Sequence, residues 1–294
     1  MKVWLHSDDA GATSSITTRI LSAWNAGLLD SFSIITNGDA CDQISQALNS
    51  NKDRPVRLSV HLNLSEGKTT LSKGEASLIA DQDGTLHHTF GSLLLFWILR
   101  SSSAKQSLLQ QIRDEWRNQI RTAKQLCGPR ELSGVDSHNH VHMLPFLFPV
   151  AAELCREEQI PAIRLSREPF FISSILKENL RLSWLINLVK HFVLNVCARF
   201  DLIDLGGFGI TGYEIIGVQF TGMMSPGAVG SALAKERRNL PKEIEVVVHV
   251  GRASQTELGR WKHLPKAIPY FVSEWRDREF NNLPSIRKAI SDAV

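Results

Sequence analysis

Three histidines and an aspartate alternate along one short stretch of the chain, Asp136-Ser-His-Asn-His-Val-His142. Side chains of an extended segment point alternately to opposite sides, so Asp136, His138, His140 and His142 are predicted to project to one side. Neutral imidazoles beside a carboxylate can bind a divalent metal or act as acids and bases. Each histidine alone is better explained by hydrogen bonding at a polar strand end, but the cluster predicts a functional site.

Other polar residues could complete such a site. Asp8 and Asp9 are adjacent, so one can bind a metal while the other accepts a proton. One carboxylate and two imidazoles from the histidines at strand ends, which include His61, His138 and His249, leave positions open for water and substrate, as metal-dependent hydrolysis requires. The alternatives are an acidic turn that caps the following helix for Asp8-Asp9, and an ordinary strand-end histidine for His249.

The segments that must position these residues alternate between strand-like and helix-like patterns, which predicts a parallel sheet with crossover helices. About eight strands are predicted, the number that a (β/α) barrel contains. They are residues 2–6, 32–36, 56–62, the histidine segment, 162–166, 202–205, 214–219 and 244–249. The candidate residues would then follow the C-terminal ends of strands, which meet on one face of a barrel.

The 294 residues contain no stretch typical of a linker, so residues 1–294 are predicted to form a single domain. Residues 65–88 are rich in Gly, Ser, Thr and Lys and are predicted to be a long loop, a kind of segment that is more often functional than idle. Residues 168–200 are predicted to be a helical and irregular insertion.

The formal net charge is only +3, and basic and acidic residues are interleaved, which gives no support for nucleic-acid binding. The four cysteines are far apart and form no CxxC pair, so they are predicted to be reduced thiols of a cytoplasmic protein. The N-terminus has no apolar region of the kind a signal peptide needs.

Two apolar stretches, residues 92–99 and 182–196, fall short of the roughly 18 to 20 uncharged residues needed to span a bilayer. They are predicted to be helices that pack on the body or cover a site, and peripheral contact with a membrane is an open alternative. The oligomeric state cannot be inferred from the sequence.

The chain resembles the YdjC-like carbohydrate deacetylases in four motifs that cover most of its length. They are Ser7-Asp-Asp-Ala-Gly11, Val60-His-Leu-Asn-Leu64, the histidine stretch and Val248-His-Val-Gly251. The DSHxHVHxxP string is the most specific of them. The helix that carries Glu115 and Gln119, together with Arg164 and residues 273–283, is also similar to the family.

The resemblance implies a distorted (β/α) barrel with a divalent metal at the C-terminal ends of the strands, Mg²⁺ in the first place and Zn²⁺ in the second. It implies that Asp9, His61 and His138 bind the metal. Asp8 would be the base, and His249 would be the general acid. The residues that it places around the substrate or behind the ligands are Asn63, His140, His142 and Arg164.

The activity implied is hydrolysis of an N-acetyl group of an amino sugar or oligosaccharide, with or without an attached lipid or phosphate, to give acetate and a free amine. Ala10 and Val250 depart from the family pattern, which commonly has Phe and Pro there, so the substrate and the role of His249 are left open. The alternatives are a barrel metallohydrolase acting on a phosphoester or cyclic amide, and an inactive barrel that binds a saccharide.

Overall fold

The protein is described by a computed structural model that covers residues 2–236, 243–261 and 268–293. Seven parallel strands close into a barrel, in which each strand pairs with the next along the chain and the seventh pairs with the first. The strands are β1 Lys2–Ala10, β2 Ser31–Ile34, β3 Arg57–Leu62, β4 Leu132–Ser137, β5 Ala162–Arg164, β6 Thr211–Ile216 and β7 Glu243–Val248. The predicted α/β barrel is therefore confirmed.

Helices surround the barrel and bury their apolar sides against the strands. Within the described ranges they are α1 Ser14–Asn25, α2 Cys41–Ser50, α3 Phe90–Leu99, α4 Ser102–Cys127, α5 Phe148–Glu157, α6 Leu182–Phe208, α7 Pro226–Glu236, α8 Ile268–Phe271 and α9 Glu274–Ala293. The side chain of Thr13 caps the first of them, and Thr89 and Ser92 form a capping box at the start of α3. No helix in these ranges is both long and apolar enough to cross a membrane.

The predicted strand at residues 202–205 is wrong, because these residues belong to α6. A short apolar run fits a strand and a buried helix equally well, and here the helix continues through it until Gly209 adopts a left-handed conformation with φ 68°. The predicted helical insertion, residues 168–200, therefore extends to Phe208. It also contains a 3-10 segment at Leu176–Leu180.

The histidine stretch is not extended, which corrects the prediction that its alternate side chains share one side. The fourth strand ends at Ser137, and His138–Met143 forms a 3-10 segment with Asn139 and His140 in left-handed conformations at φ 55°. The hydroxyl of Ser137 accepts the backbone N–H of His142 at 3.0 Å and so holds this turn. The three histidines consequently point in different directions.

Residues 65–88 follow β3 as the long loop that the sequence predicts. They contain turns and two isolated antiparallel bridges, Lys68 with Thr85 and Ala80 with Leu86. The single-domain organisation of residues 1–294 stays a prediction.

Candidate metal centre

An irregularity in β1 brings two neighbouring aspartates to the same end of the barrel. Against β2, Ser7 pairs with Phe32 and Ala10 with Ile34, so three steps along β1 oppose two along its partner. Asp9, inside this interval, has φ 73°. Consecutive side chains of a regular strand point to opposite faces, and an extra residue changes this direction. Asp8 and Asp9 are both almost fully buried at the site as a result.

Asp9, His61 and His138 converge on one point, although 129 positions separate the first from the last. Oδ1 of Asp9 lies 3.1 Å from Nδ1 of His138 and 3.7 Å from Nε2 of His61. The three ligand atoms all lie within 4.8 Å of one another, and all three residues are buried. The structure therefore brings together the three residues that the sequence resemblance assigned to a metal.

The ring of His61 is held in place through Nδ1, the nitrogen that faces away from Asp9. Its Nδ1 is hydrogen-bonded to Oδ1 of Asp136 and lies 3.1 Å from the hydroxyl of Ser33. A carboxylate at one ring nitrogen orients the imidazole and raises the basicity of the other nitrogen, an arrangement common behind metal-binding histidines. Nε2 of His61 is thereby left as the atom that could bind a cation.

Opposite charges surround Asp9 and His138. Burial alone would raise the pKa of Asp9, but the hydrogen bond with His138 and the charge of Arg276 hold that pKa far below its usual range. The guanidinium of Arg276 donates to Oδ2 of Asp9 at 3.0 Å. Burial would lower the pKa of His138, yet Glu66 and Asp9 outweigh it and raise the pKa to about 10. Without a bound cation, His138 is thus protonated at neutral pH.

Glu66 belongs to this cluster and was missed from the sequence. Its side chain is 4 % exposed, and Oε1 lies 3.3 Å from Nε2 of His138. No described neighbour donates a well-directed hydrogen bond to either of its carboxylate oxygens. Its only sequence signal is its place three residues after Asn63, whose Oδ1 accepts the backbone N–H groups of Ser65 at 2.9 Å and of Glu66 at 3.3 Å. Asn63 therefore shapes the turn that delivers Glu66.

Asp8 lies in a second group of charges, in which one guanidinium pairs with three carboxylates. Arg164 donates two hydrogen bonds to its carboxylate, Nη1 to Oδ2 at 3.0 Å and Nη2 to Oδ1 at 2.9 Å. The same guanidinium is 3.0 Å from both Asp136 and Glu245. His6, Asp8 and Asp136 also have the spacing of a ligand set. The buried guanidinium among them disfavours a second cation there.

These charges keep Asp8 ionised. Burial would raise its pKa, but Arg164, followed by His61 and His6, holds the pKa well below its usual range. His6 and Glu245 lie inside the barrel on β1 and β7, and neither was predicted as part of the site. Their signal in the sequence was a charged or polar residue in the middle of an otherwise apolar strand.

His249 directly follows β7, and its Nε2 lies 3.8 Å from Oδ2 of Asp8. Burial lowers its pKa to about 4, although the charges of Asp8 and Asp9 oppose this shift. His249 is therefore neutral at neutral pH. Its backbone N–H donates to Glu279 on α9 at 2.6 Å, which fixes the turn that the family's proline would otherwise make rigid.

The remaining two histidines lie behind the centre, at different depths. His142 is fully buried, with Nδ1 2.5 Å from the Ser137 hydroxyl and Nε2 donating to the carbonyl of Arg164 at 2.8 Å. It joins the 3-10 segment to β5. His140 is 9 % exposed, and its Nδ1 lies 2.7 Å from the hydroxyl of Ser166. Neither belongs to the group of converging ligand atoms.

A lysine on α6 also faces the site. Burial lowers the pKa of Lys190 to about 8, while the charges of Asp8, Glu168 and Asp9 oppose the shift, so its ammonium lies within electrostatic reach of both aspartates. In the sequence Lys190 interrupts the apolar stretch of residues 182–196.

Two cavities lie at opposite ends of the barrel. One of about 420 Å³ adjoins the cluster through Glu66 and Asn63. Its other polar lining residues are Asn37, Asp39, Lys68, Asp83 and Thr85. A larger cavity of about 890 Å³ is lined by Lys2, Arg57, Thr211 and Glu243, where strands begin, and by none of the candidate site residues.

The buried acidic and histidine side chains could bind a divalent metal. Asp9 supplies an ionised oxygen, His61 an oriented nitrogen and His138 a second nitrogen, and the carboxylate of Glu66 adds negative charge without a hydrogen-bond donor of its own. This donor set matches the one-carboxylate, two-imidazole sites of metal-dependent hydrolases. A cation would also offset the excess of carboxylates over fixed cations around Asp9 and Glu66.

The protein is thus an α/β barrel with a cluster of aspartate and histidine side chains at the C-terminal ends of its strands. This cluster could bind a metal. A family model described as "YdjC-like protein" matches residues 2–289, and the chain belongs to that family.

Two solved structures align with nearly the whole chain. One, from Enterococcus faecalis V583 and described as a "putative cellobiose-phosphate cleavage protein", shares the fold, with 19 % identity and a TM-score of 0.67, over 99 % of this chain and 94 % of that one. The other is a lactam utilization protein from Thermus thermophilus, with 10 % identity and a TM-score of 0.44, over 100 % of this chain and 97 % of that one.

Proposed function

We propose that the protein is a metal-dependent hydrolase that removes an N-acetyl group from an amino sugar or oligosaccharide. The observation that carries the proposal is the convergence of Asp9, His61 and His138 within 4.8 Å, with the ionised Asp8 next to them. Asp9, His61 and His138 would hold the divalent ion, with Mg²⁺ as the first candidate and Zn²⁺ as the second. When bound, the ion would polarise the amide carbonyl and stabilise the negative charge that develops on its oxygen.

Asp8 would accept a proton from the attacking water. Its bidentate contact with Arg164 keeps it ionised and fixes its direction, at the cost of some basicity. His249 would protonate the leaving nitrogen. Because its pKa is about 4, it must first receive the proton that Asp8 takes from water, and its Nε2 is 3.8 Å from Asp8. The water oxygen ends in acetate, and the proton ends on the amine.

The cavity of about 420 Å³ beside Glu66 would hold the sugar. Its lining offers amides, carboxylates, a hydroxyl and an ammonium, the groups that hydrogen-bond to sugar hydroxyls. Asn63 would contact the sugar or hold the turn, His140 and His142 would support the centre from behind, and Lys190 would face the substrate from the side of α6.

An assay of acetate release tests this proposal. Protein stripped of metal with a chelator should release no acetate from N-acetylated chitooligosaccharides, and addition of Mg²⁺ or Zn²⁺ should restore release with an equal amount of free amine. Hydrolysis of a phosphoester or cyclic amide instead of acetate release would favour another barrel metallohydrolase. Saccharide binding without turnover under any metal would favour an inactive barrel.

A further inference from the structure

The exposed apolar surface of the protein is concentrated beside the site. Among the described residues, every exposed large apolar side chain lies in residues 94–99 or 170–200. Several are almost as exposed as they would be in an unfolded chain, with Leu180 82 % and Leu99 69 % accessible to solvent. So many exposed large apolar side chains in two segments are rare on proteins that contact water alone. We call these two segments together the apolar face.

The helix α6 is apolar on two sides, of which only one is covered. Leu194 and Ala198 are buried against the body of the protein. Leu185, Val189 and Phe192, spaced three and four residues apart, point outward and are 52 %, 67 % and 69 % exposed. A helix that is apolar all round is normally covered on all sides, by protein or by lipid. The outer side of α6 therefore lacks a partner in the described part of the chain.

The exposed charged residues within the two segments of the apolar face are basic, and the next acidic residues on α6, Asp201 and Asp204, follow after residue 200. Residues 89–112 contain no Asp or Glu, and residues 169–200 contain only Glu178, which is buried and accepts hydrogen bonds from Ser173 and Ser225. Apart from Lys190, which is buried, the cations of these two ranges are Arg100, Lys105, Lys177, Arg181 and Arg199. The stems of Arg100 and Lys105 lie along aromatic rings of α3, with their charges 5.5 and 5.3 Å from the ring centroids.

We propose that the apolar face docks on a lipid bilayer that contains anionic phospholipids, with α3 and α6 lying in the interface. Apolar side chains flanked by lysine and arginine are what binds such a surface. Neither helix is both long and apolar enough to cross the bilayer. A second copy of the chain fits less well, because a two-fold interface would place the same cations against each other with no carboxylate between them.

The docked surface would lie next to the metal centre. Both α3 and α6 contact the 3-10 segment His138–Met143, and Trp97 of α3 stacks on Phe146 at 4.2 Å between ring centroids. Bilayer docking does not depend on the reaction proposed above, since it needs neither metal nor sugar.

Co-sedimentation of the full chain with vesicles tests the proposal. The protein should bind vesicles of phosphatidylcholine mixed with phosphatidylglycerol, and bind phosphatidylcholine alone more weakly. Combined Leu185→Ser, Val189→Ser and Phe192→Ser changes should weaken binding to the mixed vesicles roughly tenfold or more, because three side chains no longer enter the interface. Their exposure means that the thermal midpoint should not fall.

A charge variant gives an independent measurement. Lys177→Gln with Arg199→Gln should weaken binding to the mixed vesicles and leave binding to phosphatidylcholine unchanged. The matched control, Lys52→Gln with Lys288→Gln, changes two exposed lysines outside the apolar face and should have no effect. The proposal is overturned if the wild type does not sediment with mixed vesicles, or if the apolar variant binds like the wild type. A lipid-free dimer that the apolar variant dissociates would overturn it in favour of self-association.

Discussion

Glu66 sets the protonation state of the centre more than any residue that the sequence pointed to. It is buried, it pairs with His138, and its charge is the main reason that the pKa of that histidine rises to about 10 against burial. A bound cation must displace this proton, so metal binding should release a proton at neutral pH. Glu66 thus couples metal affinity to pH.

The stability of the metal-free protein should show this coupling. In an unfolded chain His138 titrates near 6.5, so the raised folded pKa contributes stability that is complete below pH 6.5 and is lost as the pH rises toward 10. Glu66→Gln removes most of that contribution. The urea midpoint of unfolding should therefore be higher for the wild type than for Glu66→Gln. This difference should be largest near pH 6.5 and should shrink toward pH 10.

Other titrating groups affect the wild type and Glu66→Gln equally, so they cancel in the difference between the two urea midpoints. Lys190 is one such group, because its pKa, lowered to about 8, makes stability rise with pH in part of the same range. Glu75→Gln, at an exposed carboxylate in the same loop, is the control and should give no pH-dependent difference. A difference between wild type and Glu66→Gln that stays constant from pH 6.5 to 10 would contradict the pairing of Glu66 with His138.

The sequence pointed to Asp8, Asp9, His61, His138 and His249, because paired carboxylates and histidines at strand ends are visible without coordinates, and the family resemblance added Arg164. It could not show that Asp8 and Asp9 both reach the site, since a regular strand would send them to opposite faces and the extra residue in β1 has no local signature. Glu66 and Arg276 were missed because their roles depend on contacts with residues far away in the chain.

At the scale of elements, α4 holds the loop of residues 65–88 in place over the cavity. Oε2 of Glu115 accepts hydrogen bonds from the Thr69 hydroxyl at 2.7 Å, the Thr70 N–H at 2.8 Å and the Thr70 hydroxyl at 2.9 Å. Gln119, one turn later, joins the backbone of Asn63 through both ends of its amide at 2.8 Å. One helix therefore positions both the loop and the turn before Glu66.

Glu115→Ala should loosen that loop. The loss of four accepted hydrogen bonds, with the donors left partly buried, should lower the free energy of unfolding by about 1 to 3 kcal/mol. KM should rise more than kcat falls, because loop residues line the cavity but do not hold the metal. Gln110→Ala, on the exposed side of the same helix, should change neither. An unchanged KM with a large fall in kcat would contradict this role.

Elements differed in how far the sequence determined them. The strand predicted at residues 244–249 follows from a strong local pattern, a β-branched run, and the structure has it at Glu243–Val248. Residues 202–205 were assigned to a strand because four residues do not distinguish the two periods. The turn at His138–Met143 was missed because left-handed Asn139 and His140 are held by contacts of Ser137 and Ser166 that only the fold supplies.

At the scale of the whole molecule, the barrel is closed around charged side chains instead of a purely apolar filling. Arg164 pairs with Asp8, Asp136 and Glu245 at the centre, whereas a group of carboxylates and imidazoles surrounds Asp9 at the opening of the barrel. The parallel order of all the strands places that group at the end where barrel sites are built.

The proposed mechanism gives different roles to the two adjacent aspartates, with Asp9 as metal ligand and Asp8 as base. Asp8→Asn should keep the metal while acetate release falls by a factor of order 10² to 10⁴, the usual contribution of a positioned base. Asp9→Asn should lower bound metal and acetate release together, because an amide is a poorer ligand than a carboxylate.

The most direct measurement is bound metal per chain and acetate release, determined on the same preparations of wild type, Asp8→Asn and Asp9→Asn. The proposed mechanism predicts that Asp8→Asn keeps its bound metal while the rate of acetate release falls. In Asp9→Asn both the bound metal and the rate should fall. Loss of the metal in Asp8→Asn with full retention in Asp9→Asn would reverse the two roles. Full acetate release by both variants would contradict the proposed deacetylase mechanism.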